Sequence, residues 1–190
     1  MIINSYIEQY PEDYRQSPET GIIQQIQRIG SERILDIGCG SGKQCYVLSN
    51  NAREVIGIDL QQFMIDHAKM YKNKENIKYI CDDFINVELN ENYFDIILSQ
   101  NVMFHVKNKR KFLEKIYKLL IIGGQFVFTD LTIHCPISSP ENLAFPVQAS
   151  YYSKVLNEIG FTNILFLWEK HWIWDGVYSG NNYCMFKCSK

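Results

Sequence analysis

The feature that most limits what this chain can fold into is the run Ile34-Leu35-Asp36-Ile37-Gly38-Cys39-Gly40-Ser41-Gly42. A short apolar strand runs into three alternating glycines, and residues 43–50 then read as a helix. Glycine lets the backbone turn sharply and lets a ligand come close. The helix that follows offers unpaired N–H groups to polar ligand atoms. By itself such a turn suits a nucleotide-binding dehydrogenase, or no ligand at all. Two details narrow the choice. The spacing is G-x-G-x-G, not the G-x-G-x-x-G of the dinucleotide fingerprint. Asp36 lies inside the strand, two residues before the first glycine, where its carboxylate repels a pyrophosphate but not a cationic or zwitterionic ligand.

The pattern around this turn repeats as strand and helix. Strands are expected at 33–37, 54–58, 77–81, 94–99 and 125–130. Helices are expected at 43–50, at 61–71 with Phe63, Met64, Ala68 and Tyr71 on one face, and at 108–120 with Phe112, Leu113, Ile116, Leu119 and Leu120 on one face. Gly123-Gly124 is expected to close the last of these, as glycine does at helix ends. A further helix over 19–29 precedes the first strand and stops at Gly30. Such alternation predicts an α/β fold with a parallel sheet covered by helices on both faces, which binds ligands at the carboxyl ends of its strands. Those ends carry Gly38 to Gly42, Asp59, Asp82 and Asp83, Ser99 to Asn101, and Asp130. The last third differs. Residues 134–146 hold three of the five prolines and read as a loop. A helix over 150–159 stops at Gly160. Strands at 162–172 and 182–188, joined by a turn over 176–181, should pair antiparallel. At 190 residues the chain reads as one domain. Residues 1–18 are taken as an N-terminal lid and 134–149 as a substrate-side loop.

Charge and cysteine content exclude several classes. The net charge of −2 leaves no basic surplus for binding nucleic acid through its phosphates. The six cysteines form no C-x-x-C pair and no zinc-like cluster, so they read as reduced, mostly buried thiols. The first ten residues lack the pattern of a signal peptide, and no apolar run reaches the ~18 residues that span a bilayer. A cytoplasmic protein without a membrane partner is expected.

Two further strand ends carry candidate ligand groups. Asp59 closes Val55-Ile56-Gly57-Ile58-Asp59, where a carboxylate can accept from both hydroxyls of a ribose or cap the next helix. Cys81-Asp82-Asp83-Phe84 ends the third strand. There a carboxylate can accept from an exocyclic amine while Phe84 covers a purine face, or it can serve as another cap.

Taken together, ILDIGCGSG, VIGIDL, CDDF, FDIILSQNVMFHV and LLIIGGQFVFTDL resemble, in order and spacing, the class I S-adenosylmethionine-dependent methyltransferases, over about residues 34–131. SKVLNEIGF at 153–161 is similar to a helix-then-Gly-Phe segment of small-molecule members. The resemblance implies a Rossmann-like, seven-stranded, mostly parallel sheet with the last strand antiparallel, and S-adenosyl-L-methionine as cofactor. It implies that Asp36, Gly38, Cys39 and Gly40 hold the methionine part, that Asp59 binds the ribose, that Leu60, Asp82, Asp83 and Phe84 surround the adenine, and that Gln100, or backbone near Ser99, touches the methionine end. Ile121-Ile122 departs from the usual Lys-Pro or Arg-Pro and should alter only a turn.

The acceptor is expected to be a small molecule. The Asn/Asp-Pro-Pro-Tyr type motif of protein and DNA amino-methyltransferases is absent after the fourth strand. Ser99-x-Asn101-x-x-Phe104-His105 resembles the phosphoethanolamine methyltransferases, which implies His105 as a catalytic group working with a lid tyrosine, supplied by Tyr6, Tyr10 or Tyr14. A histidine near neutral pKa can take the proton an amine or hydroxyl loses; it can equally be a packed structural residue. The stretch from Gly40 to Ser49 is similar to arsenite methyltransferases, with Cys45 at a matching position, although a buried structural cysteine explains it too. Aromatics crowd the last third (Phe145, Tyr151, Tyr152, Trp168, Trp172, Trp174, Tyr178), as cation–π walls or ordinary packing. Direct in-line transfer needs no metal. The chain is read as monomer or homodimer. The competing readings are a methyltransferase acting on a protein or RNA group, a non-catalytic cofactor-binding module, and a nicotinamide-dependent dehydrogenase.

Overall fold

The structure, a computed structural model, describes residues 22–133, 147–174 and 177–190. The strands are β1 (Arg33–Ile37), β2 (Glu54–Asp59), β3 (Ile77–Cys81), β4 (Phe94–Gln100), β5 (Leu120–Ile133), β6 (Thr162–Trp174) and β7 (Val177–Ser189). The helices are α1 (Lys43–Leu48), α2 (Gln62–Tyr71), α3 (Lys109–Leu119) and α4 (Ala149–Ile159), with one-turn 3₁₀ segments at Ile23–Gln25 and Met103–His105. The strands form one sheet in the order β3-β2-β1-β4-β5-β7-β6. β1 to β5 are mutually parallel, and β7 runs antiparallel to both β5 and β6. This is the expected seven-stranded, mostly parallel architecture. Crossing from β1 out to β3 and back to β4 puts the reversal of strand order beside β1, where open α/β sheets bind ligands.

Two apolar layers sandwich the sheet. Leu35 and Ile37 of β1 join Phe126, Phe128 and Phe186 beneath α3 and α4, whose Phe112, Leu113, Ile116, Tyr152 and Leu156 are buried there. The alternate β1 residue Ile34 faces the other way, into a smaller layer with Cys45 and Leu48 of α1, Ile65 and Ala68 of α2, and Ile22. The alternation follows from the two-residue period of a strand, with both faces buried by crossover helices. The buried apolar ridge of α3 is the face its 3.6-residue period predicts.

Three expected elements differ. The described part of the helix expected over 19–29 is a single 3₁₀ turn, and Ile26 is extended with ψ 129°. Sheet side chains take over its backbone groups: Gln27 N–H donates to Gln125 Oε1 (3.1 Å), Gln125 Nε2 donates to Gln27 O (2.9 Å), and Lys187 Nζ donates to Gln25 O (2.8 Å). The second difference is Gly123-Gly124, which does not close α3. Leu120 is already extended, and the glycines sit in an irregularity of β5, where Phe94 pairs with Leu120 but Ile96 with Gln125. Gly123 (φ +78°) donates to Lys190 O, and Gly124 O accepts from Lys190 N–H, so the pair clasps Lys190 beyond β7. A Cβ on Gly124 would meet Ile121 O at 2.9 Å. Third, residues 177–181, expected as a turn, belong to β7, since Val177 pairs with Trp174 and Tyr178 with Ile173. Strand pairing outcompetes the local turn propensity there. The 1–18 and 134–146 segments, with Tyr10 and Tyr14, lie outside the described residues, as does Cys135; of the other five cysteines four are buried and none is bridged. Among the described residues no helix is long and apolar enough to cross a membrane.

Candidate functional site

The glycine turn is held in place from β2. Gly38 and Cys39 N–H both donate to Ile58 O, at 2.7 and 3.0 Å. Gly38, Gly40 and Gly42 have φ of +75°, +51° and +77°, a region that excludes most side chains. A Cβ on Gly38 would fall 2.1 Å from Val102 Cγ2, whereas the Cβ direction of Gly40 meets nothing within 4 Å. Gly38 is therefore glycine for its neighbours and its φ, while Gly40 faces open space.

Asp59 ties this turn to the next strand end. Its Oδ2 accepts from Gly40 N–H and its Oδ1 from Gln61 N–H, both at 2.9 Å. Leu60 beside it is 70% exposed. Asp82 and Asp83 are exposed at the end of β3. Asp82 Oδ1 accepts from Asp83 N–H (2.7 Å) and Asp83 Oδ1 from Ile85 N–H (3.0 Å), so each carboxylate spends one oxygen on its own turn. Phe84 instead turns inward. Its ring packs edge-on against Phe112 at 4.8 Å and is buried. Lys115 of α3 pins this segment, donating to the carbonyls of Phe84, Ile85 and Val87 at 2.6, 3.1 and 2.6 Å.

Asp36 is the most unusual group. It is 2% exposed and accepts from Cys45 Sγ at 3.3 Å. Burial pushes its carboxyl up to about 7; the Cys45 hydrogen bond opposes that rise and the nearby Asp59 charge adds to it. The Cys45 thiol is itself pushed well up, by its hydrogen bond with Cys39, by burial and by Asp36. Both sulfurs crowd the Cα of Gly57, where a Cβ would lie 2.8 Å from Cys45 Sγ and 2.9 Å from Cys39 Sγ. Cys45 is thus a fully buried thiol facing a carboxyl.

At the end of β4, Gln100 Oε1 accepts from Nε2 of Gln44 on α1. Asn101 takes a left-handed conformation (φ +59°) and exchanges hydrogen bonds with Thr129 Oγ1. His105 ends the 3₁₀ turn that follows, is exposed, and lies against Phe104 with ring centroids 4.0 Å apart. It is not packed beneath the strand. On the other face Asp130 is fully buried and accepts from Tyr152 Oη of α4. Lys109 is buried beside His105's turn and donates to Val106 O at 2.8 Å; burial lowers its pKa and the Asp130 charge partly restores it.

Asp36, Gly38, Cys39, Gly40, Asp59, Leu60, Asp82, Asp83 and Gln100 therefore line one edge of the sheet, the carboxyl ends of β1 to β4, while the Phe84 ring leaves that edge for the core. Gln44, Lys109 and Lys115 were not anticipated, and Tyr152, expected among the aromatics of the last third, packs in the core and donates to Asp130. Gln44 alone carried a signal, being a polar residue on the face α1 buries with Cys45 and Leu48. A cavity of about 330 Å³ lined by Arg53, Glu54, Glu75, Lys78 and Tyr93 opens at the opposite edge and holds none of these groups.

Residues 35–128 match the family model described as a methyltransferase domain. The chain is 28% identical over 144 residues to phosphoethanolamine N-methyltransferase 3 of Arabidopsis thaliana, covering 70% of this chain and 29% of that protein. It is 29% identical over 132 residues to arsenite methyltransferase of Mus musculus, covering 62% of this chain and 35% of that protein. The chain thus spans only about a third of the length of these relatives. The fold matches that of phosphoethanolamine N-methyltransferase 2 of Haemonchus contortus in complex with S-adenosyl-L-methionine, with a TM-score of 0.75 at 17% identity over 90% of this chain and 52% of that one. With the glycine turn, the strand-end carboxylates and the antiparallel last strand all in place, the chain belongs to the class I S-adenosylmethionine-dependent methyltransferases.

Proposed function

We propose that this protein transfers the methyl group of S-adenosyl-L-methionine to a small-molecule acceptor. The observation that carries the reading is the Asp59–Gly40 hydrogen bond, which locks a ribose-type carboxylate to a glycine turn whose middle glycine faces open space. The residues fit the cofactor. Asp36, Gly38, Cys39, Gly40 and Gln100 hold its amino-acid part, with the Asp36 carboxyl ready to ionise against a cation. Asp59 binds the ribose. Leu60, Asp82 and Asp83 border the adenine, and the backbone at Phe84, held by Lys115, closes that side. When bound, the cofactor supplies an electrophilic methyl on a sulfonium.

The chain's own part is to position and desolvate. His105, exposed one turn beyond β4, takes the proton that an amine or hydroxyl acceptor loses, in partnership with Tyr10 or Tyr14. Ser99-Gln100-Asn101 stands where macromolecule-directed amino-methyltransferases carry a proline-rich motif, which supports a small acceptor. The relatives' names cover both nitrogen and arsenic acceptors, so amines head the screen without closing it.

Thermal unfolding with S-adenosylhomocysteine, with NAD as control, tests the reading. A rise in Tm with the former alone, abolished by Asp59→Ala, is expected. A methyl-acceptor screen starting with amines follows, in which His105→Ala should lower turnover by about 10²–10⁴-fold. Binding without turnover on any acceptor would favour a cofactor-sensing module, and a rise with NAD alone would overturn the assignment.

A further inference from the structure

Gln44 is a buried amide in a place that packing alone would give to an apolar side chain. It occupies the inner face of α1 beside Cys45 and Leu48, and is 9% exposed. Its Nε2 is committed to Gln100 Oε1. Its own Oε1 is buried and finds no donor among the described residues. A buried acceptor left without a donor is costly, and leucine or methionine would avoid that cost. A ligand that brings a donor would remove it.

The surroundings say what kind of donor. Leu98 pairs with Asp36 in the β1–β4 register, and Gln100, two residues further on, lies on the same face of the sheet as both. The two amides therefore stand just beyond Asp36, at the carboxyl edge of the sheet. Asp36 has no proton to give once ionised, and its charge disfavours an anion. A group that donates hydrogen bonds and carries positive charge satisfies both Gln44 Oε1 and Asp36. We infer that Gln44, held by Gln100, accepts a hydrogen bond from the α-ammonium of the cofactor's amino-acid tail, and so makes this protein discriminate nucleosides that carry the tail from those that lack it. The inference rests on the cofactor reading above and adds a residue to it.

Titration calorimetry on the full chain with three probes tests this: S-adenosylhomocysteine, its desamino analogue, and 5′-methylthioadenosine, which has no tail. The Gln44→Leu variant should bind S-adenosylhomocysteine about 10- to 100-fold more weakly, the range expected for a hydrogen bond to a charged group. Its affinities for the desamino analogue and for methylthioadenosine should stay within about twofold of wild type, by the same reasoning. Gln44→Glu, which keeps the acceptor, should retain the preference for the tailed nucleoside. Equal losses for all three probes in Gln44→Leu would reduce Gln44 to a prop for the turn and overturn the inference alone. A loss shared by the desamino analogue but not methylthioadenosine would move the contact to the tail's carboxylate and overturn it as stated. Wild-type protein that binds none of the three would overturn the cofactor reading and this inference with it.

Discussion

At Asp36 the stability of the fold is tied to pH through a single buried carboxyl. Its carboxyl is raised to about 7 by burial, far above the range of an exposed aspartate. The folded state therefore holds that proton more tightly than the unfolded chain does. Its stabilising effect is complete at low pH, and is lost as pH climbs from the ordinary carboxylate range to about 7. Each unit of such a shift is worth about 1.4 kcal/mol. Asparagine accepts from Cys45 as well but never ionises. Asp36→Asn should therefore unfold at a higher temperature than wild type at pH 8, by ~2–4 kcal/mol of stability. The gap should close as pH falls towards 4, and binding of S-adenosylhomocysteine should weaken sharply. A gap that does not change with pH would mean that Asp36 is already ionised in the folded protein at low pH.

At the scale of elements, helices are fastened to strands by buried polar contacts as well as apolar packing. The Tyr152 hydroxyl of α4 donates to Asp130 of β5 while its ring packs against both Phe128 and Phe186. Burial and the Asp130 charge both push the Tyr152 pKa upward, so the hydroxyl stays a donor throughout the working range. Tyr152→Phe keeps the ring and removes the bond, leaving a buried carboxylate short of a donor. Urea denaturation should show a loss of about 1.5–3 kcal/mol with an unchanged m-value. A loss under about 0.5 kcal/mol, the lower limit for a useful hydrogen bond, would show that Asp130 is satisfied without Tyr152. The hairpin of β6 and β7 is fastened differently. Cys184, Phe186 and Cys188 of β7 enter the layer under α3 and α4, while Met185 enters the opposite one.

For the whole molecule, one strand thus helps to close both cores, and the sheet has no independent half. A chain ending at residue 160 should lose its cooperative thermal transition; a sharp transition in that fragment would mean that the cores close without the hairpin. Ligand linkage also acts on the molecule as a unit. Saturating S-adenosylhomocysteine at 100 times its Kd adds about 2.7 kcal/mol, which for a domain of this size raises Tm by roughly 5–10 °C. The alternation of strand and helix, the glycine turn and the carboxylates at the strand ends are legible in the residues alone, because periodicity, φ > 0 and strand-end position are local properties. The sequence could not tell that Gly123-Gly124 would clasp Lys190 rather than end a helix, nor that Gln125 and Lys187 would draw the 25–27 segment out of a helix. It could not place Phe84 in the core, or bring Gln44 to Gln100 and Tyr152 to Asp130. Each of those outcomes depends on a partner at least 22 residues away in the chain, and only the closing of the sheet and its two apolar layers decides which partner a buried polar group will meet.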